Sequence, residues 1–128
     1  MLSATLSPLL EARNGRTGFL LAREVRVTRD IWDRLRGLLG RPRLDAGQGL
    51  FIVPCNGVHT VGMGYAIDVV FVDRAGRVVH AAEGVRPLRC IPWVRHAHAV
   101  LELPAGTIAA SSTTRGDVVH FDRTRTDG

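Results

Sequence analysis

The stretch IDVVFV at residues 67–72 decides the fold class that we predict for this chain. It is a nearly continuous run of β-branched and aromatic residues, which is typical of a central strand buried on both faces. The sequence DRAG at residues 73–76 has the composition of a turn, and residues 77–82 return as a second strand. These residues therefore predict a β-hairpin whose first strand lies at the centre of the domain.

Other strand patterns lie on both sides of this hairpin. Asn14-Gly15 suits a two-residue hairpin turn between residues 9–13 and 16–21, because both turn positions take a positive φ. Further strand patterns, either alternating or short apolar runs, lie at residues 24–27, 49–53, 100–103 and 118–121. The number of short strands indicates a β-rich domain.

One amphipathic helix interrupts the β pattern. Apolar residues recur at helical spacing from Ile31 to Leu39, which predicts a helix of about three turns. Gly40 can terminate this helix, and Pro42 blocks its continuation. Thr107–Ser111 is a candidate for a short second helix. We therefore predict a mainly β fold at the margin of α+β, a small single-domain β-barrel or sandwich with one amphipathic helix.

The chain has 128 residues, which is enough for one domain with a buried core. We place this domain at residues 1–122 and expect residues 123–128 to form a polar tail. No apolar run approaches the roughly 20 residues that span a bilayer, and no secretory signal pattern is present. Cys55 and Cys90 do not form the pattern of a secreted disulfide scaffold. We expect a cytoplasmic protein with reduced cysteines and no membrane partner.

All 17 basic side chains are arginine, and with 12 acidic residues the formal net charge is +5. Without lysine, Schiff-base and lysine general-base chemistry are excluded, and arginine keeps its charge at any usable pH. Residues 23–43 hold seven arginines against three acidic residues, whereas residues 44–73 hold no arginine. This basic helix region could bind nucleic-acid phosphates. Only Trp32 lies near it for base stacking, however, so we favour a solvated basic face over nucleic-acid binding.

The order of short motifs from residue 37 onward resembles that of one protein family. The motifs are GLLGR at 37–41, GL at 49–50, PC at 54–55, VHT at 58–60, GM at 62–63, IDVVFVD at 67–73, GRV at 76–78, PLR at 87–89, LELPAG at 101–106 and GD at 116–117. This ordered set resembles the bacterial and archaeal family named domain of unknown function 192, over residues 20–121. Gly64 and Ala66 flank Tyr65 where the family usually has a basic residue and a proline, and Gly62 replaces the bulky residue before Met63. The resemblance implies a compact β-rich fold and no known activity.

The connection from Cys55 to Asp68 is the predicted functional segment. It is polar and rich in glycine and joins two apolar strands, and such connections often carry binding sites. We predict ligand contacts by four of its side chains and by one later arginine: His59, Thr60, Met63, Asp68 and Arg89. The lead hypothesis is a non-catalytic β module that binds a small ligand or a partner protein, without a cofactor.

A second segment, which holds Arg86, Arg89 and Trp93, is polar, aromatic and irregular. If it folds over the predicted loop, Arg89 can meet a carboxylate or phosphate of the ligand. In the simpler alternative, His59 and Asp68 only bond backbone groups to fix the loop, and Arg89 pairs with Asp68 or Glu102. We expect Glu102 to face solvent, because it alternates with leucines on a strand.

Two alternatives assign chemistry to the same residues. Cys55 precedes His59 by four residues, and Asp68 could orient the imidazole, as in a cysteine-dependent hydrolase. Cys55 and His59 together with His96 and His98 also offer four zinc-type ligands. No local signature of a cysteine hydrolase surrounds Cys55, and the ligand spacing is not that of a standard zinc finger. We therefore assign no catalytic residue and no metal ligand, although enzyme activity stays open.

Overall fold

The computed structural model describes residues 10–28, 44–59, 65–86 and 89–124. These residues form nine strands and one helix: β1 (Leu10–Asn14), β2 (Leu20–Thr28), β3 (Gln48–Ile52), β4 (Val58–His59), β5 (Ile67–Val72), β6 (Val78–Val85), β7 (Cys90–Ile91), β8 (Ala99–Pro104), α1 (Thr107–Ser111) and β9 (Val119–Arg123). The mainly β fold class predicted from the sequence is therefore confirmed.

Seven strands form one curled sheet in the order β6-β5-β8-β3-β2-β1-β9. Neighbouring strands are antiparallel except β2 and β3, which are parallel. The two outermost strands meet where they begin: Arg77 forms an isolated bridge with Val118, and the Val78 N–H donates to the Asp117 carbonyl at 2.7 Å. The sheet is therefore barrel-like and closed at this end. β4 and β7 form a separate two-stranded sheet.

Strand β5 has the bounds predicted from the sequence, and all six of its side chains are buried. It is the second strand from one edge of the sheet and not the middle one. Its two faces belong to two apolar clusters. The inner core contains Val70 and Val72 of β5 with Ala12, Leu21, Ala22, Val25, Val78, Ala99, Leu101, Leu103, Ile108 and Val119. The outer core contains Ile67, Val69 and Phe71 of β5 with Val100, and is covered by partly buried residues that include Cys55, Tyr65, Val79, Ile91, Val94 and Ala97. Each fully buried Val, Ile or Phe stabilises the fold by about 1.5–3 kcal/mol.

The expectation that Glu102 faces solvent is wrong. Glu102 lies between Leu101 and Leu103 on β8 and is 0% exposed. The strand register places it beside Leu50 of β3 and Val69 of β5. Because the sheet is covered on both faces here, alternation along the strand does not separate buried from exposed positions.

The first hairpin turn is longer than the two residues predicted. β1 ends at Asn14, and β2 begins only at Leu20. Asn14 Oδ1 accepts hydrogen bonds from the backbone N–H groups of Arg16 at 2.9 Å and Thr17 at 3.1 Å. The positive φ in this turn, 76°, belongs to Gly18. The asparagine therefore caps the turn with its side chain and keeps its own backbone in the sheet.

Some of the remaining predictions fall on residues that the structure describes, and others fall on residues outside that part of the chain. The short helix is confirmed with its predicted bounds, Thr107–Ser111. The amphipathic helix at residues 31–39 lies outside the described residues. Of the arginine-rich region at residues 23–43, only residues 23–28 are described, and they belong to β2. β9 includes Arg123, and residues 125–128 are outside the described part, so the domain limits stay a prediction. No helix among the described residues is long and apolar enough to cross a membrane.

A buried polar network holds the closed end of the sheet. Asn14 Nδ2 donates to Thr113 Oγ1 and to Asp117 Oδ2, both at 3.0 Å. Arg16 Nε donates to Asp117 Oδ1 at 2.7 Å, and the Thr114 N–H donates to Asp117 Oδ2 at 2.9 Å. The Arg16 hydrogen bond, helped by those from Asn14 and Thr114, holds the pKa of the Asp117 carboxyl well below its usual range, although burial opposes this shift.

Asp117 should make the stability of the protein depend on pH in the acidic range. Its folded pKa is depressed, so its contribution is complete above the ordinary carboxyl pKa of about 4 and is lost as the pH falls toward the depressed value. Asp117→Asn should remove this pH dependence and lower the free energy of unfolding at pH 7 by about 1–3 kcal/mol, because an amide NH₂ then faces hydrogen-bond donors. Urea unfolding at pH 7 and pH 3 measures both effects.

The matched control is Asp122→Asn, at an exposed position on β9. It should change neither the stability at pH 7 nor the acid dependence. An Asp117→Asn variant with the wild-type acid dependence would show that other carboxyls cause it.

Candidate functional site

The two segments that carry predicted site residues are joined in the small sheet. β4 pairs antiparallel with β7, so that His59 opposes Cys90. Further along, the Val94 N–H donates to the Asn56 carbonyl oxygen at 2.8 Å. We call residues 89–96 the tryptophan segment. The first part of the predicted loop therefore supports this segment through backbone hydrogen bonds.

Gly57 allows the loop to approach the tryptophan segment closely. A Cβ at this position would lie 2.5 Å from the carbonyl oxygen of Pro92 and 2.8 Å from that of Ile91. Carbon and oxygen atoms that are not bonded do not come so close, so a larger residue must displace one of the two backbones. The glycine content of the loop has a steric reason at this position.

Asp68 is fully buried, and its carboxylate accepts three backbone hydrogen bonds. Oδ1 accepts from the Gly84 N–H at 2.8 Å. Oδ2 accepts from Gly106 at 3.1 Å and from Ile108 at 2.8 Å, at the start of α1. Gly84 has a φ of 56° and lies where the pairing of β5 and β6 is irregular. Asp68 therefore ties β6 and α1 to β5, and its role as a ligand contact stays a prediction.

The other predicted ligand contacts differ in what the structure shows of them. Arg89 is exposed at the start of the tryptophan segment. For His59 the structure gives the backbone position in β4. Thr60 and Met63 lie outside the described residues. The roles of these four side chains stay predictions.

The Cys55 thiol donates to the carbonyl oxygen of Gly57, with an Sγ–O distance of 2.9 Å. A carbonyl oxygen accepts a hydrogen bond only from the protonated thiol, so this contact does not favour the thiolate that a nucleophile needs. No disulfide joins Cys55 to Cys90.

Of the zinc candidates Cys55, His59, His96 and His98, the structure describes the side chains of all but His59, and these three do not form one group of metal ligands. His98 is a neighbour of Cys55, because the Cys55 N–H donates to the His98 carbonyl at 2.7 Å. His96 is exposed in a turn of the tryptophan segment. Among the described residues, no group of three or more His, Cys, Asp or Glu side chains could hold a metal ion.

An open groove of about 460 Å³ lies beside the tryptophan segment. Its described lining residues come from three parts of the chain: Val79 and His80 of β6; Ile91, Trp93, Val94, Arg95 and His96 of the tryptophan segment; and Arg115. Trp93 is 63% exposed, which makes it the most exposed large apolar side chain in the described part of the chain. We call this feature the Trp93 groove.

A β-bulge directs two neighbouring side chains of β6 to the Trp93 groove. Phe71 opposes His80 while Val72 opposes Val78, so Val79 is an extra residue on β6. Val79 and His80 both line the groove. The ring of His80 packs against that of Phe71, with centroids 5.8 Å apart and an interplanar angle of 41°. The outer core therefore fixes one wall of the groove.

Of the residues that line the groove, the sequence indicated only Trp93 and His96, and His96 only as a possible zinc ligand. Arg115 reaches it because the Gly116 N–H donates to the Val78 carbonyl at 2.8 Å, which joins the loop before β9 to β6. His80 reaches it through the bulge. Neither position carries a local motif, and only the adjacent Arg95-His96 pair beside Trp93 could have extended the predicted site.

A second cleft of about 440 Å³ lies at the β1–β2 turn. Phe19, 40% exposed, is at its edge. Arg23 is the charged residue among its described lining residues, Thr107 is the polar one, and the other lining residues are apolar. This cleft offers less chemistry for recognition than the Trp93 groove.

Comparisons with known proteins agree with the fold. The family model of uncharacterised ACR proteins, DUF192, matches residues 12–121. A protein of unknown function from Novosphingobium aromaticivorans DSM 12444 has a TM-score of 0.73 and 20% identity, over 94% of this chain and 98% of that chain. A protein from Sinorhizobium meliloti 1021 described as a proposed transcription regulator has a TM-score of 0.74 and 21% identity, over 91% and 96% of the two chains. No curated protein matches. At these identities the structural matches show the fold alone.

Asp68→Asn should destabilise the protein. In the wild type, both carboxylate oxygens accept hydrogen bonds from backbone N–H groups. In the variant, the amide NH₂ would face one of these N–H donors, so we expect the free energy of unfolding to fall by about 2–4 kcal/mol. Urea unfolding at pH 7 measures the change. Glu83→Gln, at the exposed neighbour of Gly84, is the control and should have no effect. Wild-type stability in Asp68→Asn would contradict a framework role for this carboxylate.

Proposed function

The chain belongs to the uncharacterised ACR family, DUF192, and this membership implies no activity. From the geometry of the groove we propose that it is a non-catalytic module that binds a small ligand in the Trp93 groove. The observation that carries the proposal is the exposure of Trp93, 63%, on a segment that is held in place. An exposed tryptophan leaves a large apolar surface in water, and ligand binding removes that surface from water.

The support beneath Trp93 favours a preformed site. Backbone contacts from Asn56 and Gly57 hold the tryptophan segment from one side. Ile91 and Val94 pack on the outer core from the other. A groove whose backbone is fixed before binding loses less conformational entropy when a ligand enters.

The size of the groove supports a small ligand over a partner protein. Its volume of about 460 Å³ lies within the usual range of small-molecule sites, about 300–1,000 Å³. The predicted contacts His59, Thr60, Met63 and Arg89 remain part of the proposal. The backbone of His59 pairs with Cys90 of the tryptophan segment, which begins at Arg89, and Thr60 and Met63 follow His59 closely in the sequence.

Two contacts support binding without catalysis. The Cys55 thiol donates to a carbonyl oxygen, and the Asp68 carboxylate is occupied by three backbone N–H groups. Neither arrangement resembles a nucleophile activated by a base, which needs the thiolate or the carboxylate directed at an imidazole.

Isothermal titration of a metabolite panel against the wild-type protein and Trp93→Ala tests the proposed function. At least one compound should bind the wild type and bind Trp93→Ala about 10-fold or more weakly, because the stacking surface is lost. Phe19→Ala, at a second exposed aromatic residue, is the control and should bind as the wild type does. Unchanged affinity in a folded Trp93→Ala protein, or no binding across the panel, would overturn the proposal.

Gly57→Ala should weaken ligand binding in the Trp93 groove, although residue 57 does not itself contact the ligand. The new Cβ must displace the backbone at Pro92, next to Trp93. We expect a loss of about 1–3 kcal/mol in the free energy of unfolding together with weaker binding.

Gly18→Ala is the matched control, since Gly18 has a φ of 76° and open space around it. It should cost about 1–2 kcal/mol of stability through backbone strain alone and leave the affinity unchanged. Equal affinity in both variants would show that the loop does not position the groove.

A further inference from the structure

The charged side chains among the described lining residues of the Trp93 groove are all positive. Arg95 and Arg115 contribute guanidinium groups, His80 and His96 contribute imidazoles, and none of the described lining residues is acidic. The ion pair found in the described part of the chain joins Arg16 to Asp117 and involves neither of these arginines. Cationic groups collected in one concave surface raise the local concentration of anions.

The floor of the groove is apolar. Val79, Ile91 and Val94 are half-buried and belong to the cover of the outer core. Beside them stands the exposed indole of Trp93. An inorganic anion would use the arginines but would leave this apolar surface in water. A ligand with a flat apolar body would cover both.

The polar side chains that line the Trp93 groove are brought together by tertiary contacts. Arg115 is placed by the hydrogen bond from Gly116 to Val78, at 2.8 Å. His96 has a φ of 67°, in the left-handed region that non-glycine residues seldom adopt, within a turn that the Ala97 N–H closes onto Val94 at 3.1 Å. Placing like charges together costs stability that a bound anion would offset.

We infer that the Trp93 groove takes a small organic anion with a flat apolar body, whose carboxylate or phosphate is bound by Arg95 and Arg115. The body lies against Trp93, Ile91 and Val94. This inference rests on the proposed function and adds the chemical class of its ligand. Arginine suits either headgroup, because its planar fork can donate two parallel hydrogen bonds.

Isothermal titration with three probes of one shape tests this inference: 2-naphthoate, 2-naphthyl phosphate and neutral 2-naphthamide. At low salt, at least one of the two anions should bind about 10-fold or more tightly than the amide. Its affinity should fall as salt is raised, because added ions screen the exposed charges. The tighter anion identifies the headgroup. If the amide binds as tightly as both anions, or if no probe binds, the inference is overturned.

Charge-removing variants locate the anion. Arg95→Gln and Arg115→Gln should each weaken binding of the tighter anion by roughly 3–10-fold, the range of a partly solvated charge-assisted contact. Arg26→Gln, at an exposed position on β2, is the control and should bind as the wild type does. If all three variants bind equally well while circular dichroism shows them folded, the arginines do not hold the anion.

Failure of this inference is distinguishable from failure of the proposed function. Suppose that the neutral amide or a neutral metabolite binds, that Trp93→Ala weakens this binding, and that the arginine variants have no effect on it. Anion recognition is then overturned, but the groove remains a binding site. If Trp93→Ala does not change the affinity for any compound, both are overturned.

Discussion

The burial of β5 on both faces is the constraint on which the rest of the structure depends. A strand whose six side chains are all shielded from water needs an apolar layer on each side. The curled sheet provides the inner layer by bringing β1, β2 and β9 around to face β5 and β8. The outer layer comes from Val79 and Val85 of β6 and from residues near the two-residue strands β4 and β7, namely Cys55, Tyr65, Ile91, Val94 and Ala97. Segments whose sequence is typical of loops therefore cover the core and contribute to its packing.

The difference between the inner and outer layers explains why the candidate site lies outside the barrel. The inner face is packed with apolar side chains, whereas the outer cover has an apolar side toward Phe71 and a solvent side that can carry charges. Ile91, Val94 and Val79 contact the outer core and also form the floor of the Trp93 groove. The same packing that stabilises β5 thus fixes the geometry of the groove.

Two buried acids show how similar side chains acquire different structural roles. Asp68 accepts hydrogen bonds from Gly84, Gly106 and Ile108, which joins a strand irregularity to α1. Asp117 accepts from Arg16 and Asn14 and so joins the first hairpin to the closed end of the sheet. Both carboxylates satisfy donors that would otherwise be buried without partners, which is costly in a protein interior. Their burial therefore has a sufficient structural reason.

The sequence by itself determined the strand at residues 67–72, the short helix and the mainly β class, because these depend on local periodicity, turn residues and β-branched side chains. It also predicted the next strand, at residues 77–82, although that strand extends from Val78 to Val85. It also indicated the loop after Cys55 and the segment around Trp93, from their glycine, proline and polar composition. It did not determine the burial of Glu102, which depends on the layer that covers β8, or the length of the first turn, which depends on hydrogen bonds to the Asn14 side chain. Only the tertiary structure decided the Trp93 groove. His80, Trp93 and Arg115 are distant in sequence, and a bulge, a two-stranded sheet and the closure of the barrel bring them together.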